Sequence, residues 1–135
     1  MATPAEDLLV FLQAEALGTI GTDLFRDHLP DTPDACTVVF STSGGPSELR
    51  FGSENIKWER PHCAVWRREA RYEKDLARTN AFAAYKAIAK IVAENVNGTF
   101  YHFAHALQAP FFLKDDSNER PIFAVNFELE KDVAA

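Results

Sequence analysis

The chain has 135 residues, 47% of them hydrophobic and 25% charged, with a formal net charge of −6 at pH 7. That length suits one domain over residues 1–135, able to bury about two thirds of its unfolded surface, and the acidity argues against a nucleic-acid clamp, which needs a cationic footprint. No apolar run approaches the roughly 20 residues of a bilayer crossing, residues 1–6 lack a secretion-signal pattern, and Cys36 and Cys63 are expected as free thiols in a reducing compartment.

In chain order, Thr3-Pro4-Ala5-Glu6 reads as a helix start, with Thr3 as cap, Pro4 in the first turn and Glu6 reaching back. Leu8, Leu9, Phe11, Leu12 and Ala16 continue it as an apolar stripe, and Gly18 is placed to end it. Residues 18–34, with glycines at one end and Pro30 and Pro33 at the other, read as an ordered but irregular crossing. Residues 36–41 read as a strand with Val38 and Phe40 opposite Val39, and the turn Ser43-Gly44-Gly45-Pro46 predicts a hairpin with residues 48–51. Residues 52–57 are polar, as at a mobile tip. Residues 61–68 form the third strand, with Ala64 and Trp66 on one face and Cys63 and Val65 on the other; apolar character on both faces suggests a deep strand or one covered by another chain.

Residues 71–93 are expected as a long helix. At about 100° per residue, Leu76, Ala77, Ala84, Ala87, Ile88 and Ile91 share one side, while Arg71, Asp75, Arg78, Phe82, Tyr85, Lys86 and Ala89 lie opposite. Aromatics on the outward side fit either cover by a loop or the first helix, or a subunit contact. Asn97-Gly98 turns the chain into a fourth strand, residues 99–106. Residues 108–120 run from apolar (Ala109 to Leu113) to polar (Lys114 to Arg120), too hydrophobic for a solvated loop and too interrupted for a helix. From Pro121, Phe123, Val125, Phe127 and Leu129 alternate with Ala124, Asn126, Glu128 and Glu130, the period of a half-buried strand whose register is firmly set. The rest of the chain is organised against this stretch. The fold class is α+β, a mixed, mainly antiparallel sheet of four to five strands with two helices on one face. Glu59-Arg60-Pro61 echoes Glu119-Arg120-Pro121; each proline is expected to open a strand and each arginine to sit at the sheet rim.

A search for reactive chemistry finds no convergent set. His102 and His105 are three apart, His62 and Cys63 adjacent, and neither pair has metal-ligand spacing. Ser41, Thr42 and Ser43 lack a nucleophile elbow, and Gly44-Gly45 lacks the lysine of a phosphate loop. Asp115, Asp116 and Glu119 read as a solvated acidic loop or one that docks on a basic partner. No catalytic residue, cofactor or metal is assigned.

The chain resembles the tail terminator proteins of long-tailed bacteriophages. The likeness rests on Leu17-Gly18-Thr19-Ile20-Gly21-Thr22-Asp23-Leu24-Phe25, the strand around Glu59-Arg60-Pro61, the alanine-rich helix ending near Ile91, and the closing run from Ala106-Leu107-Gln108-Ala109-Pro110-Phe111-Phe112-Leu113 through Arg120-Pro121 to Asn126-Phe127-Glu128. The resemblance implies a non-enzymatic virion protein at the neck, assembled in the host cytoplasm as a homo-oligomeric, usually hexameric, ring. Such a ring caps the tail tube at its final length and meets the head-tail connector, and genomic DNA passes through its hole. Acidity suits that conduit, because carboxylates repel phosphate; no membrane partner is implied. With that role, Arg78, Phe82, Tyr85 and Lys86 become candidates for the subunit interface. Glu54, Lys57, Trp58, Lys114, Asp115, Asp116 and Glu119 become candidates for tube or connector contact or for the lumen. Two alternatives stand beside it: another neck or head-closure component, and a small cytoplasmic ligand-binding domain or enzyme using Trp58, His62, Cys63 and Trp66 around a pocket.

Overall fold

The computed structural model describes residues 3–42, 48–49 and 56–132. In chain order its elements are α1 (Pro4–Ala14), β1 (Leu24–Arg26), β2 (Cys36–Thr42), β3 (Glu48–Leu49), β4 (Ile56–Glu59), β5 (His62–Arg68), α2 (Lys74–Ile88), β6 (Val92–Val96), β7 (Thr99–Ala106), β8 (Phe111–Asp115) and β9 (Pro121–Asp132). The alternating closing stretch is β9, at 12 residues long enough to serve two partners along each edge. One edge pairs with β5 from Ile122 to Glu128 and with β4 at Lys131 and Asp132. The other pairs with β8 from Pro121 to Ala124 and with β7 from Phe127 to Lys131. Outward from β5 lie β2 and then β1, the latter parallel to its neighbour; the other strand pairings are antiparallel.

The pleat sorts side chains as the alternation requires. Val39, Cys63, Val65, Val125, Phe127 and Leu129 face the helices and join Leu8, Leu12, Ala84, Ile88 and Ile91 in the main core. Both helices pack on this face, α1 over β1 and β2, α2 over β5 and β9. Small residues set the approach of α2, whose buried positions are Ala77, Ala81, Ala84, Ala87 and Ile88.

Helix α1 starts with a complete capping box, Thr3 accepting from the Glu6 N–H and Glu6 from the Thr3 N–H. It stops at Ala14, short of Gly18. Ala16 takes φ 60°, its N–H donating to the Gln13 carbonyl and that of Leu17 to the Leu12 carbonyl, the Schellman pattern with alanine in the left-handed position that glycine usually fills. Gly18 serves the crossing instead: at φ 149° a Cβ there would lie 2.8 Å from both Asp23 Oδ1 and Leu24 Cγ.

Several expectations are corrected. Among the described residues the structure has nine strands, not four to five. The helix expected over residues 71–93 spans Lys74–Ile88, and its supposed last turn is the edge strand β6. Leu76, placed on the core side, is 44% exposed, and Ala81, left off that side, is buried. Among the described residues the expected hairpin does not form as drawn, because β3 pairs with β4 and not with β2, while residues 43–47 and 50–51 lie outside the described residues. Ile56 and Lys57, assigned to a mobile tip, belong to β4, while residues 52–55 lie outside the described residues. Residues 24–26 and 111–115, assigned to no strand, form β1 and β8.

Candidate functional site

The first surface feature grows from the irregular crossing. Arg68 points away from the helices, since it alternates with Arg67, whose guanidinium bonds Thr37 and Glu69 on the helix side. Residues 28–35 therefore lie as a strap over the opposite sheet face, drawn down by Arg68. Its guanidinium donates to the carbonyls of Pro30 and Pro33 at 2.7 Å and Asp34 at 2.9 Å, and it is 2% exposed. Arg120 holds the same strap from the side, donating to the Asp31 carbonyl at 2.6 Å, Asp34 at 3.0 Å and Asp116 at 2.8 Å. Arg120 was expected at the rim; it is buried, because this fork of carboxylates and carbonyls replaces its water. Partial burial works against ionisation of Asp116, but N–H groups of Arg120 and Asn118 and the Arg120 guanidinium outweigh it and hold the carboxyl below its ordinary range. The strap and the β8–β9 turn frame an open cleft of about 450 Å³ lined by Asp31, Asp34, Arg71 and Glu119 among others.

This geometry changes the reading of the acidic loop. Asp116 is engaged by Arg120, and Glu119 by Arg71 at 2.8 Å. Hydrogen bonds from Tyr72 and Arg71 hold the Glu119 carboxyl low. Lys114 and Asp115 remain exposed, with the Lys114 ammonium 5.9 Å from the Trp66 ring. Trp58 is half-buried and edge-on to His102 at 5.8 Å. Glu54 and the side chain of Lys57 lie outside the described residues.

The second feature is the flank of α2. Asn80, Ala83 and Ala84 line a cleft shared with the end of α1; Arg78, Phe82 and Tyr85 fall about half a turn round at 100° per residue. Phe82 and Tyr85 meet edge-on at 5.7 Å, both half-buried. Tyr85 was placed among the outward residues, yet it also leans on Phe127 at 6.4 Å and packs against the core. Lys86 is exposed and Arg78 pairs with Asp75 at 3.1 Å.

The pocket of the enzyme alternative does not assemble. Cys63 faces the helices, whereas His62 and Trp66 face the other way. Burial, reinforced by Asp27 and Asp7, pushes the Cys63 thiol up to about 12, far from a thiolate nucleophile at neutral pH. Among the described residues no three His, Cys, Asp or Glu side chains form a metal-binding group, and no helix is long and apolar enough to cross a membrane.

A family model described as bacteriophage tail terminator protein matches residues 11–133. The chain belongs to that family. Among curated proteins, none matches it. The matched span covers the crossing, the strap, α2 and all of β9 up to its last residue, so both surface features belong to the tail terminator domain itself. Membership implies a structural role in a phage tail. The α2 flank was singled out in the sequence by its aromatics; Arg68 was not, because its neighbours in sequence give no sign of the strap it holds.

Proposed function

We propose that this protein caps the phage tail tube at its final length and forms the ring, of six copies, that joins the tail to the head connector at the neck of the virion. The role is structural and not catalytic. The observation that carries the reading is the family match over nearly the whole chain. Two surfaces support it. The flank of α2 offers aromatic side chains beside Arg78, a composition enriched at subunit contacts, with Lys86 next to them. The strap, held rigid by buried arginines, and the exposed Lys114 and Asp115 beside it offer a preformed polar surface for the tube or the connector, and the acidic chain lets DNA pass without adhering. The test is genetic. A phage lacking this gene should build overlong tails, and supplying the protein should restore their length. Tails of normal length that fail to join heads would assign the protein to head closure instead.

A further inference from the structure

On the assembly reading above, we propose that the free edge of β8 receives an extended, largely apolar segment of another virion protein, which joins the sheet as a further strand.

Among the described residues β8 pairs with β9 along one edge and with no strand along the other. Backbone groups of successive strand residues point to alternate edges, so alternate N–H and C=O groups between Phe111 and Asp115 face outward without a backbone partner. Such a row is matched by an extended chain. The other open edges serve less well. β1 has three residues, with Leu24 bridged back to Ile20, β3 has two, and β6 is broken by Ala93 at φ 48°. No residue of β8 has a positive φ. The sheet also leaves room in the right place. β7 and β8 follow one another along the same edge of β9, and β6 lies outside β7. A strand added outside β8 would fall in the same row as β6.

The side chains define what the segment carries. Phe111 stands opposite Ala124 on the Trp66 face of the sheet, and Phe112 opposite Phe123 on the helix face. Both rings are partly exposed, at 37% and 38%, so a partner strand with apolar side chains on both faces would cover them. Two lysines bracket the edge: Lys74 lies 4.0 Å from the Phe112 ring and Lys114 5.9 Å from the Trp66 ring. Neither is ion-paired among the described residues, and carboxylates on the segment would be met there. A second copy of β8 fits poorly. Full-length antiparallel pairing of two β8 strands would set Phe111 against Asp115 and Phe112 against Lys114, a ring against a charge each time. The edge therefore rejects its own copy and favours a different chain.

Hydrogen exchange of the full chain, read by mass spectrometry, tests this with purified tail tubes and connector-bearing heads as the probes. In the protein assembled alone, the outward amides of residues 111–115 should exchange fast; on one of the two probes they should slow by about tenfold or more, as ladder bonds form. Lys114→Glu reverses an exposed charge beside the edge and should weaken binding to that probe with thermal unfolding unchanged. Fast exchange at residues 111–115 on a bound probe, undiminished binding of Lys114→Glu, or slowing already present in the protein assembled alone would overturn the inference while leaving the assembly reading intact. A wild-type protein that binds neither probe would overturn both.

Discussion

The phenol of Tyr101 donates to Asp7 Oδ2 at 2.6 Å, joining β7 to the first turns of α1 across 94 positions of sequence. Asp7 is wholly buried and its second oxygen accepts from Asn97 Nδ2 at 3.0 Å. An unpaired carboxylate in such a place would be costly; two donors make it a pin between helix and sheet. Tyr101→Phe should therefore lower unfolding free energy by about 1–3 kcal/mol, the cost of leaving a buried acceptor without its donor. Denaturant titration checks this, and a loss under about 0.5 kcal/mol, typical of surface changes, would contradict it.

The same contact sets an alkaline limit. Burial first, then the bond to Asp7, raises the Tyr101 phenol above the ordinary tyrosine range. A group whose folded pKa is raised stabilises the fold fully below its unfolded pKa, about 10, and that contribution falls as pH rises beyond it. Absorbance titration of the folded protein should show Tyr101 un-ionised beyond the ordinary tyrosine range, and Tyr101→Phe should remove the alkaline loss.

Arg68 gives the largest expected single-site effect. Arg68→Met should cost about 3–5 kcal/mol, as when one member of a buried ionic network is removed, and should open residues 28–35 to proteolysis. Arg68→Lys should rescue little, since an ammonium lacks the planar fork that reaches separate carbonyls. Limited digestion and denaturant titration read both effects.

Asp116 predicts the acid limb. Its lowered carboxyl means stability is present above the unfolded aspartate value, about 3.9, and is lost as pH falls through the lower native value. Asp116→Asn should flatten this loss in acid unfolding curves; an unchanged limb would mean Arg120 does not depend on that carboxylate.

Ala16 sits at φ 60° in the turn that closes α1. Ala16→Gly should stabilise the protein by about 0.5–1 kcal/mol, because glycine adopts this conformation without the steric penalty of a Cβ. A rise in thermal midpoint checks it.

What was legible in the sequence was local or periodic. The alternation from Phe123 to Leu129 marked β9 and its faces, Thr3 and Glu6 marked the start of α1, and the opposed pairs Cys63–Val65 and Ala64–Trp66 gave the faces of β5 correctly. What was not legible depended on distant partners. Ile91 and Val92 continue a helical run of apolar residues, yet the chain leaves the helix there because β6 pairs with β7 through Val92 and Phe103. Arg120 looked like a rim charge because its partners Asp31 and Asp34 lie 86 and more positions away. Phe82 and Tyr85 were visible as aromatics on the outward side of α2, whereas the lean of Tyr85 onto Phe127 depends on β9 lying beneath the helix.

The proposed role requires copies of this chain to close a ring on the end of a tail tube. Electron microscopy of purified tail tubes mixed with the protein tests it directly. The account predicts a ring-shaped cap at tube ends and tubes that no longer lengthen when tube subunits are added; bare ends and continued growth at saturating protein would contradict it.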